Sequence, residues 1–415
     1  MKLLLSLPLT ALLTASLVQA QELTPLEGAT PAQWRVHWGE NPHAEATISW
    51  TTAEPGERHE VHLSTAPQAQ DGTQEARILV SSRDGEYTQD DSDGLPPAYY
   101  HHVRVTGLEP STTYWFVMVS DGNASRELHF TTAPADDRPF RLIYGGDSRS
   151  GREDRARINR LMAELAEEDP EILAFCHGGD YVMRGWLWEN WRAWLSQHEL
   201  TTCSDGRVLP IVPVRGNHDR GAIYDEVFDT PGGEGRNYYT TRLGTEVSIV
   251  TLNTEISTAG DQASWLGDQL EALRPTSRWL LAQYHRPAWP AVKKPGTALA
   301  SWVPLFERHD VDLVLESDGH VIKRTVPIRD GKQDPTGVTY IGEGGLGVPQ
   351  RRPDGERWYL KPPGMVGAGH HVTVLEFTEE GLRMRTVGPP LEEGGERQLY
   401  DDHTLRPRAA VAEAR

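Results

Sequence analysis

Apolar and polar positions alternate in short runs from about Trp34 to Thr132: ATISWTT, HEVHLST, ARILV, HHVRVTGL, TTYWFVMVS and ELHFTTA, separated by clusters of Pro, Gly, Asp and Asn. Alternation bounded by turn residues predicts half-buried strands, and a string of them over about 100 residues predicts a small antiparallel β-sandwich. A polar, proline-containing segment, APADDRP at 133–139, closes this region, and beyond it the period changes. RLIYGGD and EILAFCHGGD are unbroken apolar runs that end in a glycine pair. Between them EDRARINRLMAELAEED places Ile158, Leu161, Met162 and Leu165 at helical spacing. VLPIVPVRGNHD, VSIVTLN, RWLLAQYH and VDLVLESDGH repeat the strand pattern, with helices predicted at DQASWLGDQLEAL and ALASWVPLFERH. Apolar strands alternating with helices predict an α/β layered domain whose ligands bind at the carboxyl ends of the strands. Trp186, Trp188, Trp191 and Trp194 follow the period of an amphipathic helix, so core packing is expected of them rather than a lid.

The first twenty residues break both patterns. One cation, Lys2, precedes a mostly apolar stretch from Leu3 to Val18, and small Val18 and Ala20 occupy cleavage-type positions. This predicts a signal peptide at 1–20, cut after Ala20, and a secreted or periplasmic mature chain without a transmembrane segment. The 415 residues carry a net charge of −19, which repels phosphate backbones, so no nucleic-acid surface is expected. Cys176 and Cys203 allow one bridge at most, or two buried thiols. The sequence carries no signal for an oligomeric state.

Chemistry concentrates at the strand ends. In chain order stand GGDSR with Asp147, HGGDY with Asp180, RGNHD with Asn217 and His218, QYHRP with His285, and DGHVI with His320. Carboxylate, amide and imidazole donors suit intermediate metals such as Zn, Fe and Mn, and a bridging carboxylate can hold two ions about 3.5–4 Å apart. One such residue alone reads as a turn or cap; five at successive strand ends read as a metal site.

The segment VTGLEPSTTYWFVMVSDGNASRELHFTTAP resembles the end of a fibronectin type III domain. The five ordered motifs resemble those of the calcineurin-like metallophosphoesterase superfamily, and with the front domain they are similar to its purple acid phosphatase-like branch. The resemblance runs from Trp34 to Val387. It implies a fibronectin type III-like all-β sandwich at 30–135, an α/β metallophosphoesterase layered sandwich at 139–390 and a C-terminal tail at 391–415. It further implies that Asp180 bridges two metals, that Asn217, His285 and His320 complete one site, and that Asp147 begins the other. His218 would steady the transition state or protonate the leaving group. The implied cofactors are one or two divalent or trivalent ions, Zn, Fe or Mn. The implied activity is that of a secreted metal-dependent phosphoric-ester hydrolase acting on a small-molecule phosphoester, monoester before diester, through metal-activated water.

Three positions depart from the pattern. Met183 stands where this branch has a tyrosine ligand, Arg149 where the superfamily often has histidine, and Ile322 where the last motif has its second histidine. Three readings of this stay open: a second metal held weakly through Asp147, Asp180, water and substrate; Arg149 as a catalytic and substrate-binding residue supplying the second positive charge; or a site that has ceased to catalyse. At the level of function, a phosphodiesterase or nucleotidase of the same fold and a non-catalytic secreted binding protein stand as alternatives. Four further groups are candidates for the cleft. His370 and His371 offer a replacement for the missing ligand, Lys323 and Arg324 offer phosphate contacts, and the glycine-rich run GEGGLGVPQRR is expected to line the cleft with Arg351 and Arg352 at its end.

Overall fold

Thr113–Ser120 shows the predicted alternation directly: Tyr114, Phe116, Met118 and Ser120 are buried while the residues between them are half-buried. The computed structural model describes residues 23–67, 76–90, 94–233, 235–392 and 394–408. The expected signal peptide, 1–20, lies outside them. Thr113–Ser120 pairs with His59–Ser64 and Leu128–Thr131 in one sheet of the sandwich, and the strands Ala32–His37, Glu45–Thr52, Tyr99–Thr106 and Arg83–Glu86 form the opposing layer.

That opposing layer does not stop at the domain boundary. Ala32–His37 pairs in parallel with Ile211–Pro213, in register His37 to Ile211, and Trp38 donates its backbone N–H to the Ile211 carbonyl at 3.0 Å. Among the described residues, ten strands thereby join into one sheet that runs from the sandwich through Ile211–Pro213, Ile172–His177 and Phe140–Gly145 to the C-terminal strands. A second sheet of seven strands, including Val247–Thr251, Trp279–Gln283, Leu313–Glu316 and Thr339–Gly342, faces it.

The core follows from strand alternation. Cys176 faces the second sheet, in a cluster with Leu142, Ile249, Leu281 and Leu315 that continues into the sandwich at Trp50 and Phe116. Its neighbour Phe175 faces the other way, against Ile158, Leu161, Met162 and Leu165 of the helix Arg152–Glu168. Leu266 and Leu270 of the helix Asp261–Leu273, with Phe306, cover the far face of the second sheet at Val250, Leu280 and Val314. Burying each such side chain contributes about 1.5–3 kcal/mol. Trp188, Trp191 and Trp194 are buried within the second of these clusters, whereas Trp186 is 43% exposed. Both cysteines are buried free thiols. Among the described residues no helix is long and apolar enough to cross a membrane.

One expected boundary needs correction. The chain beyond 390 is not all tail: Gln398–Leu405 is the outermost strand of the ten, antiparallel to Leu382–Gly388, and Asp401 ion-pairs with Arg324. Its sequence, QLYDDHTL, is half-buried and charged because only one face of an outermost strand meets the core.

Candidate metal centre

Each strand of the two sheets that matters here ends in a tight loop at the same rim. Asp147 follows Phe140–Gly145, Asp180 follows Ile172–His177, Asn217 and His218 follow Ile211–Pro213, His285 follows Trp279–Gln283, and Asp318 and His320 follow Leu313–Glu316. Asp147, Asp180, Asp318 and His320 all hold a left-handed backbone, with φ between 57° and 69°. That conformation is unfavourable for a residue with a side chain, and it persists where the surroundings over-determine it, typically at functional sites. The surroundings are visible. The buried Asp219 carboxylate accepts the backbone N–H groups of Asp180 and Gly216 on Oδ2 and that of Tyr181 on Oδ1, at 2.8–2.9 Å, tying two of the loops together.

Asp147, Asp180, His285 and Asp318, all buried, bring one ligand atom each within 4.8 Å of one another. His285 donates its Nδ1–H to the Gly178 carbonyl at 2.8 Å, which leaves Nε2 as the inward atom. Nε2 lies 3.2 Å from Asp180 Oδ1, 3.2 Å from Asn217 Oδ1 and 3.7 Å from Asp318 Oδ1. His320 is oriented in the same manner: Nδ1 meets the Pro349 carbonyl at 3.2 Å and Nε2 lies 3.5 Å from Asp147 Oδ1.

The electrostatics of this cluster call for a cation. Burial opposes a charged ring at His285, yet the Asp180 carboxylate, reinforced by Asp147 and Asp318, holds its pKa well above the ordinary imidazole value. Burial likewise raises Asp180, but His285 and then His218 outweigh it and leave the carboxylate below its usual range. Asp147 Oδ1 and Asp180 Oδ2 are buried without a hydrogen-bond partner. A buried carboxylate oxygen without a hydrogen bond is costly, so these two atoms, flanked by imidazoles whose Nε2 atoms face inward, fit a metal ion. A second His/Asp group, His59, Asp84 and His101, gives the contrast. There the ring nitrogens already meet Ser120 Oγ, the Pro55 carbonyl, Thr52 Oγ1 and Asp84 Oδ1 at 2.8–2.9 Å, so this group closes on itself.

Around the buried cluster sit cationic and polar groups. His218 donates its backbone N–H to Asp180 Oδ1 at 2.8 Å; its Nδ1 meets the Met183 carbonyl at 2.8 Å, and Nε2 stands 4.0 Å from Asp180 Oδ2 on a partly exposed ring. Arg149 places Nε 3.3 Å from Asp180 Oδ2, and Lys293 ion-pairs with Asp318 Oδ1. Arg351 donates to the Asp318 carbonyl at 3.1 Å, and the glycine-rich run passes close by. Gly344 is its tightest point, where a Cβ would stand 1.8 Å from Asp147 Oδ2.

Every residue of the expected site thus lies at this rim, but other sequence candidates do not. Lys323 is fully buried between Glu316 and Glu343, and Arg324 is spent on Asp401. His371 meets the Gly369 carbonyl, and His370 meets the Val348 carbonyl and Asp154, so neither replaces the ligand missing at Ile322. Two further carboxylates at the rim carry no distinctive sequence signal. Asp318 in DGH reads as an ordinary turn residue, and Asp219 in RGNHD lies behind the ligands rather than among them.

Comparison with known proteins finds relatives for both domains. A family model described as the N-terminal domain of purple acid phosphatase matches residues 31–132, and one described as calcineurin-like phosphoesterase matches residues 128–322. An uncharacterized protein of Mycobacterium tuberculosis is 24% identical over 336 residues, 71% of this chain and 62% of that protein. Purple acid phosphatase 23 of Arabidopsis thaliana is 26% identical over 306 residues, 61% of this chain and 65% of that one. The chain therefore spans somewhat less than two thirds of the length of these curated relatives. Among solved structures, the purple acid phosphatase from yellow lupin (Lupinus luteus) superposes with a TM-score of 0.75 at 16% identity, over 91% of this chain and 74% of that one. PhoD superposes with a TM-score of 0.67 at 12% identity, over 92% of each chain. Residues 31–322 thus carry, in order, a domain that matches the N-terminal domain of purple acid phosphatase and a calcineurin-like phosphoesterase domain, with the ligand-type residues gathered at one rim of the latter.

Proposed function

We propose that this protein is an exported, metal-dependent phosphoric-ester hydrolase that prefers small monoesters. The observation that supports the reading is the pair of buried carboxylate oxygens without a hydrogen bond, Asp147 Oδ1 and Asp180 Oδ2, the latter ion-paired with Arg149, beside the imidazoles of His285 and His320. Asp180, Asn217, His285 and His320 are the proposed metal ligands, with Asp147 completing the set and the carboxylate of Asp318 adding negative charge beside His285. These residues would hold the ion, and Zn, Fe or Mn there would supply Lewis acidity toward water and the phosphoryl oxygens.

The chain's own residues supply the rest. Asp219 holds the loops of Asp180 and Asn217 in one geometry through backbone N–H groups, so the ligands are pre-organised. Arg149 offers a permanently charged, planar guanidinium to phosphoryl oxygens, aimed by its approach to Asp180. Because its Nδ1 faces the Met183 carbonyl, His218 presents Nε2 to the leaving group and is the proposed general acid.

Hydrolysis of an aryl phosphate by the full chain, across pH and with added Mn, Zn, Fe or Mg, tests the reading beside Asp180→Asn. Metal-dependent turnover that disappears in the variant is expected. Turnover of aryl diesters alone would move the assignment to a phosphodiesterase. The substitutions at Met183 and Ile322 favour one further reading, a non-catalytic binding protein on this scaffold; absence of turnover on either ester class with every metal would leave that reading and a more specialised substrate, and would shift the assignment toward the first.

A further inference from the structure

The three departures at positions 149, 183 and 322 are not scattered. By the family resemblance all three belong to one side of the site, the side begun by Asp147, while the residues of the other side are all present. In the structure that side is filled by a single group. The Arg149 guanidinium reaches in with Nε 3.3 Å from Asp180 Oδ2, Nη1 3.1 Å from Met183 Sδ and Nη2 3.5 Å from His320 Nε2, and the side chain is 11% exposed. Its three nitrogens thus touch the proposed bridging carboxylate, the residue at the tyrosine position and an imidazole of the final motif.

We infer that Arg149 stands in place of the second metal, so that the protein binds one metal ion per chain and uses the guanidinium as the second fixed positive charge on the substrate phosphoryl group. This rests on the hydrolase reading above. Three physical arguments converge on it. A guanidinium cannot lose its proton to make room for a like-charged ion on the same carboxylate. The thioether of Met183 is a soft donor that suits neither ferric ion nor the harder divalent ions. Ile322 is buried and apolar and offers no donor atom. Lys293 on Asp318 completes the compensation, since two fixed cations already face the three carboxylates Asp147, Asp180 and Asp318 before any metal enters.

The test is metal content, read by elemental analysis of the full chain after saturation with Zn or Mn and removal of free ion. One metal per chain is expected. Two per chain in the wild type would overturn the inference and leave the hydrolase reading intact; none would remove the reading on which it rests. Arg149→Met then isolates the charge. It should keep one metal and the wild-type thermal midpoint but bind orthophosphate at least tenfold more weakly, with Arg149→Lys recovering part of the loss. Unchanged orthophosphate affinity in Arg149→Met would overturn the role of the guanidinium. A triple variant, Arg149→His with Met183→Tyr and Ile322→His, supplies the absent donors. It should take up a second ion and, loaded with ferric iron, show a visible tyrosinate-to-iron absorption band that the wild type lacks; failure to bind a second ion would overturn the claim that these three positions set the count.

Discussion

Asp318 donates its backbone N–H to Asp147 Oδ2 at 2.7 Å, so the last strand-end loop positions the first carboxylate of the site. The side chain of the same residue points to His285 and is held by Lys293. Asp318 therefore acts twice, through its main chain on one ligand and through its carboxylate on the charge at the centre. Asp318→Asn keeps the main-chain contact and removes the charge. It is expected to weaken metal binding about 10- to 100-fold, the usual effect of losing a group that tunes a ligand, as measured by chelator competition. Lys293→Met should act oppositely and tighten binding, because it removes a cation that competes for the same oxygen.

Gly344→Ala should destroy the site without replacing a ligand. Its φ of 84° disfavours any side chain, and the new Cβ would stand 1.8 Å from Asp147 Oδ2. The Asp147 carboxylate must then leave its place, and loss of bound metal with a lowered thermal midpoint is expected. Full metal content in this variant would show that the 342–352 loop does not press on Asp147.

His218 meets Asp180 through its backbone N–H, so replacing the side chain spares that contact. His218→Ala should retain metal yet lose about 10²–10⁴-fold in turnover of alkyl phosphates, whose leaving groups need a proton. Nitrophenyl phosphate, whose leaving group needs little help, should suffer much less. Equal losses on both substrates would reassign His218 to holding the phosphoryl group.

Acid should destabilise the fold. Burial holds His198 down to about 3 and His371 to about 4, and it holds His37, His102 and His177 well below the ordinary imidazole value. As pH falls through about 6.5, the unfolded chain takes up protons at these rings and the folded chain does not, so the stability present above 6.5 is lost toward pH 4. Each ring contributes about 1 kcal/mol per pH unit in that window. Asp219, Glu199, Glu226, Glu307 and Glu343, raised by burial, and in the metal-free chain His285, raised by its carboxylates, act in the opposite sense, but burial also holds His101, His129 and His403 low, so eight histidines stand against these six groups. The thermal midpoint should therefore fall between pH 7 and pH 5, and the slope should lessen by about one proton in His198→Asn.

Much of the site is readable in the chain because buried parallel strands are continuous apolar runs, and a polar residue directly after such a run is conspicuous. Asp147, Asp180 and His285 stand out on that ground alone. Asp318 does not, because an Asp before Gly is also what a plain turn requires, and only the fold shows it meeting Asp147 and His285. Arg149 is legible as a substitution but not as an occupant: its contacts to Met183 and His320 depend on loops 34 and 171 residues away. Trp188, Trp191 and Trp194 are core, as helical spacing suggests, whereas Gln398–Leu405 escapes notice because its polar residues mask a strand.

The pairing of Ala32–His37 with Ile211–Pro213 changes what counts as the calcineurin-like domain. Severing the chain at 133–139 would strip one flank from the strand whose end carries Asn217 and His218, leaving its N–H and C=O groups open to another chain. The α/β half produced alone should thus self-associate and lose bound metal, and the front sandwich is better regarded as a flank of the sheet that carries the site than as an appendage to it.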